Sequence, residues 1–326
     1  MTCSKIGVRL AFFALAGMVC FSSWLLAADS SETQTLSDIL DAQDIAKMNA
    51  VISYIEQNPE AEDVDEGYSL VFSLANEYDQ IEKVVPLADK YIESGRQAAE
   101  AKAMCIQIKN LVQQGNVEEA VDQFMGLARF KARRDPNAAG NCGFELVEAA
   151  QLAGHPELSR KVLMVMRETL PLNPTYDRVC EGLIQKLDLV NKPAPEITVV
   201  DFEENPIKLS DYEGKVVLVD FWGTFCGPCI RQFPQLKETY AEFKDQGFEI
   251  IGISADPSQE EVNEFQTKYN LPWKLALSLS DEQATLDRYF VEAFPSTYLI
   301  GKDGKVIAVD LEATAIDKAV RAQLQQ

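Results

Sequence analysis

The chain has 326 residues, 47% of them hydrophobic and 25% charged, which excludes a low-complexity or disordered chain and leaves room for two domains. The formal net charge is −21, and both halves share it: residues 29–190 carry 15 Lys/Arg against 28 Asp/Glu, residues 191–326 carry 13 against 23. Such a surface repels phosphate backbones and anionic lipid, so nucleic acid is excluded as a partner.

At the N-terminus, Lys5 and Arg9 lead into an apolar run over 10–21, and small residues at 22–28 precede Asp29. This pattern predicts a signal peptide over residues 1–28, cleaved after Ala27 or Ala28. An uncleaved anchor is the alternative, because residues 10–28 approach the length of a membrane span. Val19 before Cys20 does not suit a lipoprotein signal. The expected location is exported, in the periplasm or cell envelope.

Residues 29–190 read as an α-helical, repeat-like domain. Leu111 to Phe124 aligns with Ala150 to Leu163, each a helix end, a turn at glycine and an amphipathic helix. Leu74 to Val85 is a third copy, which sets turn positions at Tyr78, Gly115 and Gly154. The period suits stacked helix hairpins and loosely resembles tetratricopeptide repeats. Cys105, Cys142 and Cys180 echo the same period. Buried thiols are the expectation for them, with a Cys105–Cys142 or Cys142–Cys180 bridge as the alternative.

Asn191-Lys-Pro-Ala-Pro195 marks the expected boundary, since its prolines cannot continue a helix. Beyond it strands alternate with helices. The pattern predicts strands at 216–221 and 248–254 and a hairpin of strands at 296–300 and 306–309. Helices are predicted at 228–246, 258–270 and 315–325, the first bent at Pro234. Cys226-Gly227-Pro228-Cys229 falls where the first strand runs into a helix N-terminus. There the first sulfur meets unpaired N–H groups and the positive end of the helix dipole, which stabilise a thiolate. The second sulfur, one turn on, can close a disulfide. A zinc site and an inert structural disulfide are the other readings of such a pair. Zinc usually needs four ligands, and the chain has no second CxxC and one histidine, His155. No metal or cofactor is expected.

These residues resemble the thioredoxin superfamily, most nearly the TlpA/ResA-like thiol:disulfide oxidoreductases among the redoxins. The resemblance is carried by Asn191 to Asp201, by Leu209 to Trp222 with the cysteine pair, and by Phe294 to Val306. It covers about residues 190–326. It implies an α/β thioredoxin fold for the C-terminal part, preceded by the all-α part. It implies that Cys226 attacks a substrate disulfide, that Cys229 resolves the mixed disulfide, and that Asp220 relays the proton. Trp222, Gly227, Pro228, Phe294 and a cis Pro295 are implied around the substrate. The implied partners are protein disulfides and a thiol electron donor, in the membrane or soluble. Asp256 is read as a helix cap or first-turn acid, with Pro257 opening the helix; the alternative, which the resemblance implies, is an acidic residue after the strand that ends near the active site.

The Gly-Pro between the cysteines resembles that of reducing thioredoxins more than that of oxidising envelope enzymes, and the resemblance implies a reductase. Two other functions stay open. One is an interaction module whose helical part binds a client, with the redox pair tuning the contact. The other is a thiol peroxidase, against which Thr224 lies only two residues before Cys226 and Arg231 is the one nearby arginine.

Overall fold

The computed structural model describes residues 36–131, 133–170, 174–281 and 284–325. The expected signal segment lies outside the described residues. The chain divides into two compact units, 1–42 and 43–326. The first is described only over 36–42, the opening of helix α1 (Leu36–Gln57). The second holds the other helices and all of the strands.

The helical half continues with α2 (Val64–Glu77), α3 (Ile81–Glu93), α4 (Glu100–Gln113), α5 (Val117–Gly126), α6 (Pro136–Leu152), α7 (Pro156–Thr169) and α8 (Pro174–Leu187). In α3 the buried stripe is Ile81, Val84, Ala88 and Tyr91, the spacing that keeps side chains on one face, while α4 buries Ala103 and Ile106 in one core and Ala101 and Ile108 in another. The pairs α2–α3, α4–α5 and α6–α7 turn in the same way. Gln80, Asn116 and His155 N–H each donate to a carbonyl five residues back, Ala75, Leu111 and Ala150, at 2.8 Å. The residue before each donor is left-handed: Asp79, Gly115 and Gly154, with φ of 50°, 81° and 82°. This closure ends a helix and starts the next within three residues. The first turn is therefore at Asp79 and not at Tyr78, which caps α2 with φ −104°. Sequence alignment slips by one because Asp, unlike Gly, does not advertise a left-handed position.

The thioredoxin-like half opens with a hairpin of β1 (Thr198–Val200) and β2 (Pro206–Lys208). Its main sheet has the order β5-β4-β3-β6-β7, made of β3 (Val216–Trp222), β4 (Phe248–Ser254), β5 (Lys274–Leu277), β6 (Ser296–Ile300) and β7 (Val306–Val309). The β3–β4 and β4–β5 pairs are parallel, β3–β6 and β6–β7 antiparallel. Helices α9 (Gly227–Phe243), α10 (Gln259–Tyr269), α11 (Ala284–Arg288) and α12 (Ala313–Leu324) complete it. Every residue of β3 is buried. Val216, Leu218 and Trp222 join the core of α9 and α12. Val217, Val219 and Phe221 join a second core that runs on into α4–α8. A strand covered on both faces needs a nearly continuous apolar run, which 216–222 supplies with Asp220 as its one polar residue. The strand β5 and helix α11 carry no clear periodicity in the sequence, being four and five residues long.

The helical half closes the β7 edge of the sheet. The buried Gln151 side chain donates to Val309 O at 3.1 Å and accepts from Val309 N–H at 2.9 Å. The expected boundary is itself pinned to this hairpin, with Asn191 N–H on Val306 O and Ala194 N–H on Gly304 O. An edge strand covered in this way presents no row of open backbone groups. Cys105 on α4, Cys142 on α6 and Cys180 on α8 are all thiols, so neither bridge that their spacing allowed is formed. The Cys105 thiol instead donates towards Ala138 O at 3.6 Å.

Candidate active site

Trp222 ends β3, and Gly223-Thr224-Phe225 turns the chain into α9. Cys226 is the N-cap of α9. Its carbonyl accepts from Ile230 N–H at 3.1 Å, and its Sγ accepts from Cys229 N–H at 3.2 Å. Pro228 lies in the first turn, where the missing N–H costs nothing. Cys226 and Cys229 are joined as a disulfide, with Cα atoms 5.3 Å apart. Cys226 is 6% exposed and Cys229 2%. In the dithiol form the same N–H and the helix dipole favour negative charge on Cys226 over Cys229, which sits inside the helix. Gly227 and Pro228 are exposed beside the pair. A Cβ on Gly227 would lie 3.7 Å from Arg231 Nη1, so a cation stands next to the turn.

Asp256 does not cap a helix. The N-cap of α10 is Ser258, whose side chain accepts from Glu261 N–H. Asp256 is fully buried just after β4. Its carboxylate accepts from Thr224 N–H at 2.9 Å, Thr224 Oγ1 at 2.6 Å and Ser254 Oγ at 2.5 Å. It thus holds the turn that carries the cysteines. The Asp-Pro signal points to a cap because the true partner is 32 residues away.

Asp220 pairs with Gly252 and Thr297 across the sheet. It is 2% exposed, and by alternation shares the face of Leu218 and Trp222, the face that α9 covers. Burial pushes its carboxyl up to about 7. Its Oδ2 has no hydrogen-bond partner, as suits a group held neutral.

Trp222 is fully buried, with its ring edge-on to Phe233 at 5.3 Å, in the core cluster that holds both cysteines. It shapes the ground under the pair and offers no surface to a substrate. Phe225 does: it is 65% exposed, and its ring meets Phe294 at 6.0 Å. Gly223 permits this, since a Cβ there would come within 2.6 Å of the Phe225 ring. The Phe294–Pro295 peptide is cis, and both residues are half-buried.

Behind Pro295 lies a network that the sequence does not reveal. Lys186 of α8 is buried, with Nζ 2.7 Å from both Ser296 Oγ and Asp310 Oδ2. Asp310 Oδ1 accepts from Ser296 Oγ and Thr297 N–H, each at 3.1 Å. The helical half therefore fixes the strand that follows Pro295.

The AhpC/TSA family model matches residues 190–309. The ResA thiol-disulfide oxidoreductase of Bacillus thuringiensis subsp. konkukian is 39% identical over 118 residues, 36% of this chain and 67% of that protein. The chain belongs to the ResA-like thiol-disulfide oxidoreductases. The ResA of Bacillus subtilis is 39% identical over 116 residues, 36% of this chain and 64% of its own. A thioredoxin domain of a Bacteroides vulgatus thiol-disulfide oxidoreductase is 34% identical over 41% of this chain and 96% of that one, with a TM-score of 0.39. This ResA-like enzyme carries its family match from residue 190 onward, after α8 has ended.

Proposed function

We propose that the enzyme reduces protein disulfides through Cys226 and Cys229. The observation that carries this is Cys226 Sγ at the N-cap of α9, accepting the Cys229 N–H. The Cys226 thiolate attacks one substrate sulfur. The substrate S–S bond breaks, a mixed disulfide forms, and the first leaving thiolate takes a proton from solvent. Cys229 then loses its proton and attacks Cys226 Sγ. The mixed bond breaks, the second substrate thiolate leaves with that proton, and the Cys226–Cys229 disulfide forms. Two electrons pass to the substrate, and a dithiol donor restores the pair. Asp220, on the α9 face of β3 with a carboxyl near neutrality, takes the Cys229 proton and passes it on. Phe225, Phe294 and Pro295 bear on the incoming chain. Export is part of the same proposal and rests on Lys5, Arg9 and the apolar run at 10–21. Among the described residues no helix is long and apolar enough to cross a membrane.

The test is trapping. Cys229→Ala, mixed with a disulfide peptide, accumulates a mixed disulfide at Cys226 that mass spectrometry reads. No adduct, or exchange retained in Cys226→Ser, sinks the mechanism. Equilibration against a thiol buffer gives the direction: a reduction potential near about −270 mV supports a reductase, and one near about −120 mV reverses the assignment.

A further inference from the structure

A cleft of about 540 Å³ lies between the helical half and the Pro295 loop. One wall is helical: Phe144, Glu145 and Glu148 of α6, and Val179 of α8. The other is Gln232 of α9, Pro295 and Glu312. Gln232 follows Cys229 by three residues, so both lie on one face of α9. Pro295 adjoins Phe294, whose ring touches that of Phe225 beside Cys226. The cleft thus borders, through Gln232 and Pro295, the elements that carry and flank the redox pair.

Its lining contains four carboxylates and no Lys, Arg or His. Two carboxylates have cations of their own: Asp310 has Lys186 at 2.7 Å, and Glu145 has Lys109 at 3.7 Å. Among the described residues no ion pair holds Glu148 or Glu312. They sit side by side, Glu148 Oε2 accepting Glu312 N–H at 2.9 Å, while Gln232 Nε2 donates to Glu312 Oε2 at 3.1 Å. Burial first, then the charges of Glu312 and Glu145, raises the Glu148 carboxyl, against the Glu312 N–H and Lys318. Two carboxylates left facing one space repel each other, and a cation between them relieves both. The apolar residues beside them, Phe144 and the exposed Val179, ask for more than a bare ion.

We infer that this cleft is a substrate groove, and that it selects polypeptide disulfides with a lysine or arginine side chain beside the reacting cysteine. The occupant is an extended peptide segment, its aliphatic parts on Phe144 and Val179 and its cation between Glu148 and Glu312. This rests on the reductase reading above and adds to it the class of substrate.

The test uses the full mature chain, reduced, and disulfide-linked peptide pairs identical except for Lys or Gln two residues from the cysteine. The wild type is expected to favour the Lys peptide in kcat/KM by about fivefold, the size of one well-placed ion pair. That ratio falls toward one as salt is raised from about 0.02 to about 0.5 M, a readout that needs no variant. Glu148→Gln/Glu312→Gln brings the ratio within about twofold of one. Glu118→Gln/Glu119→Gln removes the same net charge from the exposed face of α5 and keeps the preference, which separates the cleft from long-range attraction by an acidic protein. A wild-type ratio near one overturns the inference, as does a preference that survives Glu148→Gln/Glu312→Gln. Hydroxyethyl disulfide, small and neutral, reports on the underlying reading. If the wild type does not reduce it, the reductase assignment fails; if it does and the Lys preference is missing, only the groove fails.

Discussion

The two halves hold cysteines in opposite surroundings. Cys226 caps a helix, where its sulfur receives a backbone N–H that has no partner within the helix. Cys105, Cys142 and Cys180 lie within helices α4, α6 and α8, where the backbone donors are already used. The Cys142 neighbour first, and burial second, push the Cys105 thiol well above its usual range; burial pushes Cys180 up to about 11. Cys142 is as little exposed as Cys226, so what sets the two groups apart is the supply of backbone donors at a helix start rather than access to water or the sulfur itself.

The largest effect that sharpens this contrast is on exchange activity. Cys226→Ser should lower disulfide reduction by more than about 100-fold, because no other thiol is placed to attack. Cys105→Ala/Cys142→Ala/Cys180→Ala should stay within about twofold of wild type. Brief iodoacetamide treatment of the reduced protein at neutral pH should label Cys226 ahead of the helical three, read by peptide mass spectrometry. Preferential labelling of a helical thiol would break the contrast.

Next comes the pH dependence of stability from Asp220. Its carboxyl titrates near 7 in the fold against 3.8 as the ordinary value. Between those values the folded state holds a proton that the unfolded state has lost. Stability therefore falls as pH rises from about 4 to about 7 and is level above that. Three pH units correspond to at most about 4 kcal/mol. Asp220→Asn cannot titrate, so its urea-unfolding stability should gain on that of the wild type across this window, with the Cys226–Cys229 disulfide intact in each protein. Parallel curves would mean that Asp220 is solvated.

Lys186 tests whether the halves are energetically joined. Lys186→Met removes the cation from Asp310 and strands that carboxylate at the interface, for an expected loss of about 3 kcal/mol, discounted for the partial exposure of Asp310. Lys186→Met/Asp310→Asn should recover more than half of it. In wild type a single urea transition should be seen by both far-UV circular dichroism and tryptophan fluorescence. Two separate transitions would show halves that fold independently.

The features legible in the sequence are local. The bounds predicted for strands at 216–221, 248–254, 296–300 and 306–309 fall within one residue of β3, β4, β6 and β7. Alternation, apolar runs and turn residues act over a few positions and leave their mark there. The cysteine pair is legible for the same reason, since strand, turn and cap are contiguous. The hidden features join distant residues. Thr224 and Asp256 are 32 apart, Lys186 and Asp310 are 124 apart, and neither pair carries a signature that singles it out. Lys186 reads as an ordinary surface lysine in α8; only the packing of that helix against β7 turns it inward. The acidic cleft is unreadable too, because its carboxylates come from α6 and from the segment ahead of α12, 164 residues apart in the contact of Glu148 with Glu312.

The smallest expected effect concerns Gln151, and it asks how the halves are sealed. Its amide reproduces a strand's pair of hydrogen bonds to Val309, one given and one received, at the edge of β7. Gln151→Leu keeps much of the volume but leaves the Val309 N–H and C=O buried without partners. Two such groups cost about 2 kcal/mol together when no water reaches them. Gln151→Glu is the discriminating variant. It can still accept from Val309 N–H but, ionised, has nothing to donate to Val309 O and sets a carboxylate against that carbonyl. Near neutral pH it should therefore be less stable than Gln151→Leu, and the gap should close as pH is lowered and the glutamate protonates. If both variants match wild type in urea, water seals the edge as well as the amide does, and the helical half is held by its other contacts, Lys186 and the shared apolar core among them.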